Sequence, residues 1–366
     1  MIKILQVFGA LNCGGAETML MNLYRKIDTS EIQFDFVKHT EQECYYDKEI
    51  IDKGGVIYSC PRYTVINHFK YVKWWNDFFS SHPEYKVVHS HIRSTASIIL
   101  RIAKMHGCIT ISHSHSTSNG KGFAAIIKKN LQSKIPKYSD YCFACTYNSG
   151  KWLFGEKVVK SEKFKVIPNA IDTEKYKFSE SVREKMRSEL GIKENVVYGH
   201  VGRFHPAKNH GFLLELFAEI HSKQPNSVLL LIGDGELRGE IESKIAELSL
   251  QDSVILTGVR SDVHLLMQAM DVFLFPSAWE GLPLTVVEAQ AAGLPCFVSD
   301  TVTKEVFLSE LVEYLSIFNG VQVWLNEILT CNLVRTDVLS EIKSSGFDIN
   351  SSVEEITSFY RSFFKE

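Results

Sequence analysis

Short apolar runs alternate with helical stretches along nearly the whole chain, and few folds accept that pattern. After a first strand in Met1 to Phe8, strand-length runs recur at Phe34 to Lys38, Val56 to Tyr58, Val87 to His89 and Ile109 to Ile111. Phe69 to Phe79 and Thr95 to Met105, between them, carry helical periodicity. Strand followed by helix followed by strand builds a parallel sheet with helices on both faces, an α/β doubly wound arrangement. A second series starts in Asn195 to Val201 and continues through Val228 to Ile232, Val254 to Leu256 and Val272 to Phe275. At 366 residues the chain can hold two such domains, each with its own core. The expected division is 1–175 and 185–345, with the charged stretch Thr173 to Arg187 as linker and first helix of the second domain. A last helix, capped by Ser351 and Ser352 and carrying Val353, Ile356, Tyr360 and Phe363 on one face, spans 351–366.

Ligands of doubly wound sheets bind beyond the carboxyl ends of the strands, so the chemistry is expected in the strand-end loops. The most informative of these lies within Asp271 to Pro295. The run Val272 to Phe275 gives way to a loop broken by Pro276, Gly281 and Pro283, and a helix then runs from Leu284 until Gly293 and Pro295 stop it. The turn Gly281-Leu282-Pro283-Leu284-Thr285 offers free backbone N–H groups, from every residue but the proline, with the positive end of the helix dipole behind them, and these favour an anion. Glu280 and Glu288 frame that loop; carboxylates repel phosphate, so they suit the hydroxyls of a sugar. In Gly202 to Asn209, Arg203 and Lys208 occupy another strand-end loop, where two cations can clamp a diphosphate without a metal.

The amino-terminal half offers softer signals. Gly14 and Gly15 follow the first strand and precede a helix over Ala16 to Ile27; they relieve a tight turn or let backbone approach a ligand. His91 and the pair His113 and His115 end two adjacent strands, without a third ligand set at metal spacing. Lys121 to Lys137 holds five lysines and no acid, interleaved with Phe123, Ile126, Ile127 and Leu131. It suits either contact with an anionic membrane surface or a sheet-packed helix with its lysines outward.

The Glu280-x7-Glu288 pattern with Gly281-Leu282-Pro283 inside it, together with Gly202-Arg203 and Lys208-Asn209, resembles the donor site of the retaining glycosyltransferases of family 4 (glycosyl transferases group 1). Those enzymes have the GT-B fold, and many build bacterial exopolysaccharide and capsular polysaccharide. The resemblance implies two Rossmann-like domains facing across a cleft, with the last helix returning to the first. It implies transfer from a nucleotide diphosphate sugar, a UDP-sugar by expectation, to a glycan acceptor of polyprenyl-linked type, with no cofactor and no metal. Arg203 and Lys208 would stabilise the leaving diphosphate, Glu288 hold the ribose, Glu280 the donor sugar, and Gly258 border the base. His115, in His115-Ser116-Thr117, best matches the histidine that contacts the donor sugar; His113 is the fallback, and His91 falls on the acceptor side. The rival from another class is a non-catalytic subunit that keeps the fold to bind a sugar nucleotide or a partner.

A formal charge of -3 gives no global attraction to nucleic acid. No run reaches membrane-span length and the amino terminus lacks a signal-peptide layout, which predicts a cytoplasmic protein, peripheral on the inner face of the membrane at most. Eight scattered cysteines suit a reducing compartment, and Cys142 and Cys145 read as core thiols in a strand.

Overall fold

The computed structural model describes residues 1–12, 14–115 and 123–364, apart from the side chains of 123–126. Ser116, Thr117 and Lys121, named above, lie outside the described residues. The chain forms two compact units, 1–170 with 349–366, and 171–348. The division falls at Ala170 and Ile171, ahead of the expected boundary. Ile171 and Met186 are buried in the core of the second unit, so the charged stretch belongs to that domain throughout: it holds the helix Glu180–Leu190, as expected of its later part, and its earlier part is not a linker.

In the first unit the strands β1 (Ile2–Phe8), β2 (Ile32–Lys38), β3 (Ile57–Ser59), β4 (Val87–Ser90), β5 (Ile109–Ser114), β6 (Tyr141–Ala144) and β7 (Phe164–Val166) lie in the order β3-β2-β1-β4-β5-β6-β7, every pair parallel. Helices α1 (Gly15–Lys26), α2 (His68–Ser81), α3 (Ala96–Met105) and α4 (Phe123–Ser133) belong to it. Two apolar layers flank the sheet, one around Phe34, Phe36 and Tyr24, the other around Trp75, Tyr71 and Leu100. Cys142 and Cys145 are both buried and unbridged.

The second unit repeats the plan. Strands β8 (Val196–Val201), β9 (Ser227–Ile232), β10 (Val254–Leu256), β11 (Val272–Phe275), β12 (Cys296–Ser299) and β13 (Val312–Leu315) run in the order β10-β9-β8-β11-β12-β13, again all parallel. Its helices include α5 (Glu180–Leu190), α6 (His210–Lys223), α7 (Val263–Ala269) and α8 (Leu284–Ala291). The last helix, α9 (Ile349–Arg361), closes the first unit, with Ile349, Ile356 and Tyr360 in its core. It starts at Ile349, before Ser351 and Ser352, which therefore sit inside its first turn and not ahead of it.

Strand order reverses between β1 and β4 in the first sheet and between β8 and β11 in the second. At such a switch point the following helices depart to opposite faces and leave a crevice at the strand ends. The loops after β1 and β4, and those after β8 and β11, border these two crevices.

Candidate active site

In the second unit the loops after β8 and β11 are fastened together. The Ala278 N–H donates to the Ala207 carbonyl at 2.7 Å, and Asn209 Nδ2 to the Pro276 carbonyl at 3.2 Å. Asn209 holds a left-handed φ of 54°, which a short amide side chain tolerates, and so turns the chain into α6. Lys208 and Glu280, 72 residues apart in sequence, meet at 2.8 Å, each only 16% exposed. The ammonium also lies 4.5 Å from the centre of the Phe275 ring, so a cation-π contact holds it from the other side. A Cβ on Gly202 would fall 2.8 Å from Lys208 Cε; glycine there lets the lysine stem cross its own loop.

Arg203 stands further out, 72% exposed and paired with Glu236 at 3.0 Å. His205 accepts a hydrogen bond from the Ala207 N–H on Nδ1 and caps the turn Pro206–Lys208, a role with no signature in the sequence. The loop from Gly281 to Thr285 ends on the first turn of α8. No atom lies within 4 Å of where a Gly281 Cβ would be, so that backbone is open to a ligand. Thr285 Oγ1 is buried with no hydrogen-bond partner, and Leu282 and Leu284 pack on the core and hold the turn. Glu288, one turn further along α8, faces the Tyr176 side chain; burial raises its pKa, and the tyrosine partly offsets the rise. Gly258 takes a φ of 69° and its carbonyl accepts from the Gly233 N–H, placing it at the end of β10 beside β9.

In the first unit, side chains two apart on a strand share a face. His89 and His91 therefore stack with His113 of the neighbouring β5 and with His115 just past its end, the last two with centroids 4.2 Å apart. The third histidine absent from the sequence reading is His89, whose ligand atom lies with those of His91 and His113 within 4.8 Å of one another. An imidazole binds a metal in the plane of its ring. The rings of His89 and His113 lie within 6° of parallel, 5.3 Å apart, so one of them would have to turn before both could hold an ion. Burial pulls His89 and His115 down to about 3; burial and neighbouring imidazoles hold His91 and His113 well below the usual histidine range. The stack is thus neutral at ordinary pH.

A hydrogen-bond chain orders its tautomers. Gln6 directs Nε2 to the Tyr360 hydroxyl and Oε1 to His91 Nε2, 2.9 Å away. An amide oxygen only accepts, so His91 carries its proton on Nε2 and accepts on Nδ1. His115 Nε2, 2.8 Å from that nitrogen, is then the donor, which leaves its own buried Nδ1, without a partner among the described residues, as an acceptor. His89 Nδ1 bonds the Tyr360 hydroxyl at 2.7 Å, tying α9 into the same group. Gln6, His89 and Tyr360 were missed in the sequence; only the Gln6↔His89 register of β1 and β4 brings the first two side by side.

Gly14 and Gly15 open α1 without a left-handed φ, so the turn itself does not require glycine at either place. A Cβ on Gly15 would meet nothing within 4 Å, whereas one on Gly14 would strike the Glu17 carboxylate. A cavity of about 980 Å³ lies in this unit, walled by Asn12, His39, Arg62, Thr95, Ile127 and Lys128 among others. Ile92 is on its wall; His91 and His113 are not.

Residues 13–175 match the Glycosyltransferase Family 4 model, and residues 182–314 match the Glycosyl transferases group 1 model. EpsF of Bacillus subtilis (strain 168), a glycosyltransferase by name, is 34% identical over 368 residues, 98% of this chain and 96% of that one. An α-1,3-galactosyltransferase of Escherichia coli is 31% identical over 297 residues, 76% of this chain and 75% of its own. Among solved structures, HepE of Anabaena superposes with a TM-score of 0.79 at 20% identity, covering 99% of this chain and all of its own, which bears on the fold alone. With a relative matched from end to end and both halves matched by family models, the chain belongs to the family 4, group 1 glycosyltransferases and is an enzyme of the GT-B fold.

Proposed function

We propose that the enzyme moves a sugar from a UDP-sugar to a lipid-linked glycan acceptor in bacterial surface polysaccharide biosynthesis, with retention at the anomeric carbon and without a metal ion or other cofactor. The observation that carries the donor half is the Lys208–Glu280 pair, fastened at the switch point beside the open turn of α8. An arriving diphosphate competes with Glu280 for Lys208. The exchange leaves the lysine on phosphate and frees the carboxylate for hydroxyls of the donor sugar. As the bond from the anomeric carbon to the diphosphate breaks, negative charge builds on the leaving oxygen. Lys208, Arg203 and the N–H groups of the Gly281 to Thr285 turn meet that charge, and preorganised donors of this kind lower the barrier most. The acceptor oxygen bonds to the same carbon, and its proton passes to the departing phosphate. Glu288 holds ribose hydroxyls, displacing Tyr176; Gly258 borders the base; Gly14 and Gly15 give the donor a close backbone approach. His115, neutral and with Nδ1 bare, accepts a hydrogen bond from a donor-sugar hydroxyl.

Relatives support the substrate classes. The Escherichia coli enzyme is named for UDP-Gal and GlcNAc-diphosphoundecaprenol, and HepE has been crystallised with UDP and with UDP-glucose. On the acceptor side the cavity in the first unit joins polar walls to Ile127 and Leu131 of α4. No described helix is long and apolar enough to cross a membrane, so approach to a lipid-borne acceptor falls to the surface, where Lys128 and Lys129 are exposed. The testing experiment is hydrolysis of UDP-, GDP- and ADP-sugars in the presence of a chelator and without acceptor. Release of UDP from one donor is expected, lower by about a hundredfold or more in Arg203→Ala. Activity that disappears with the chelator would refute metal independence, and absence of nucleotide binding by calorimetry would refute the donor site.

A further inference from the structure

We infer that the turn Val65–Asn67 and the first turn of α2 form a docking surface for an anionic lipid bilayer, at the mouth of the 980 Å³ cavity. Ile66 is 98% exposed, Phe69 87% and Val65 54%. Large apolar side chains scattered singly on a surface call for no explanation, but three within five residues do.

The segment is well ordered. Thr64 and Asn67 form a reciprocal capping box, with the Thr64 N–H donating to Asn67 Oδ1 at 2.8 Å, and Asn67 Nδ2 donates to the Arg62 carbonyl at 2.9 Å. Tyr71, Trp75 and Phe78 bury the opposite side of α2 in the core. The exposed tips are thus held outward on a turn that is already formed, so insertion carries little extra ordering cost.

Charge selects a lipid surface over an apolar protein partner. Arg62 and Lys70 flank the tips and make no ion pair with any described residue, whereas Lys73 is paired with Asp77 at 2.6 Å. Val65 and Arg62 line the same cavity as Ile127, Lys128 and Leu131 of α4, so the turn that carries the tips, through Val65, and the lysine helix border one cavity. The acid on that wall is Glu43. Apolar tips ringed by free cations fit the interface of an anionic bilayer.

The inference rests on the reading of the acceptor as lipid-borne, and adds an insertion element to the basic helix. The test is co-sedimentation with vesicles of equal parts phosphatidylcholine and phosphatidylglycerol. Wild type is expected to bind with a component that survives high salt, because insertion, unlike charge attraction, is not screened. Ile66→Ser with Phe69→Ser should weaken binding by about tenfold or more and remove that component, and Ile66→Trp should retain or strengthen it. All these sites are exposed, so the melting temperature and transfer to a soluble acceptor analogue should be unchanged. If the double serine variant binds as wild type does while Lys128→Glu with Lys129→Glu does not, the insertion element is refuted and the basic helix stands. Unchanged vesicle binding with a dimer converted to monomer would instead make this face a contact between copies, and failure of wild type to bind any vesicle would also overturn the inference.

Discussion

His113 has no hydrogen-bond partner on either ring nitrogen among the described residues, and it lies stacked between other imidazoles with Phe143 against its edge. A group in that setting can be neutral in the fold but must take up a proton once unfolded in mild acid. Its folded pKa lies below the unfolded value near 6.5, so the unfolded chain binds more protons in the window below that value. Stability therefore rises with pH through this window and is lost as pH falls from about 6.5. For His89, held at about 3, the loss between pH 7 and pH 5 comes to about 2 kcal/mol. His113→Phe fits the stack and removes one such proton site. The expected outcome, in urea unfolding at both pH values, is that the variant loses about 1 to 2 kcal/mol less than wild type on acidification; equal losses would show that the ring is not held neutral by burial. Much at this scale was legible. The strand-end loops that hold Arg203, Lys208 and Glu280 and the helix that carries Glu288 read directly from the alternation of apolar runs with turn residues. Tyr176 on Glu288 and His205 as a cap were not legible, since neither a contact from a distant turn nor a capping imidazole leaves a spacing in the sequence.

The element that presents Glu280 is strand β11, and its position is set at its base. Asp271, just before it, is 8% exposed and takes Arg183 Nη2 and Arg187 Nη2 of α5, each at 2.5 Å, and the Val197 N–H of β8 at 2.8 Å. Arg335 adds donors to the carbonyls of Met267, Gln268 and Met270 at the end of α7, and burial with Arg183 nearby pulls its pKa down to about 9. One carboxylate thus balances a buried cluster of guanidinium groups. Asp271→Asn preserves the shape and removes the charge, which is expected to cost about 3 to 5 kcal/mol of unfolding free energy. Calorimetry of the variant should show the loss, and a change below about 1 kcal/mol would show that the backbone carbonyls suffice to hold the arginines. The sequence displayed β11 plainly, as a strand buried on both faces must be apolar throughout. It hid one edge strand of each sheet: Phe164-Lys165-Val166 of β7 and Val312-Glu313-Tyr314-Leu315 of β13 alternate polar with apolar, and read alone they resemble loop.

Across the whole molecule, the path of the chain couples its ends. The first unit is finished only by α9, after residues 171–348 have formed the second. Ile349, Ile356 and Tyr360 are buried there, Phe359 and Phe363 pack beside them, and Lys165 reaches Glu355 at 2.6 Å. At about 1.5 to 3 kcal/mol for each fully buried large side chain, the three account for roughly 5 to 9 kcal/mol, comparable with the net stability of a domain. The aromatic stripe was readable as a helix face seeking a partner, although only the tertiary structure shows that the Tyr360 hydroxyl also joins the chain from Gln6 to the histidine stack. Truncation after Asp348 should therefore unfold the first unit selectively. Hydrogen exchange is expected to show protection lost in β1, α1 and β4 and retained in β8, β9 and β11, with nucleotide binding preserved if the second unit carries the donor site. Uniform loss across both units would mean that the two fold as one cooperative block, and unaltered protection in β1 would mean that α9 contributes far less than its burial implies.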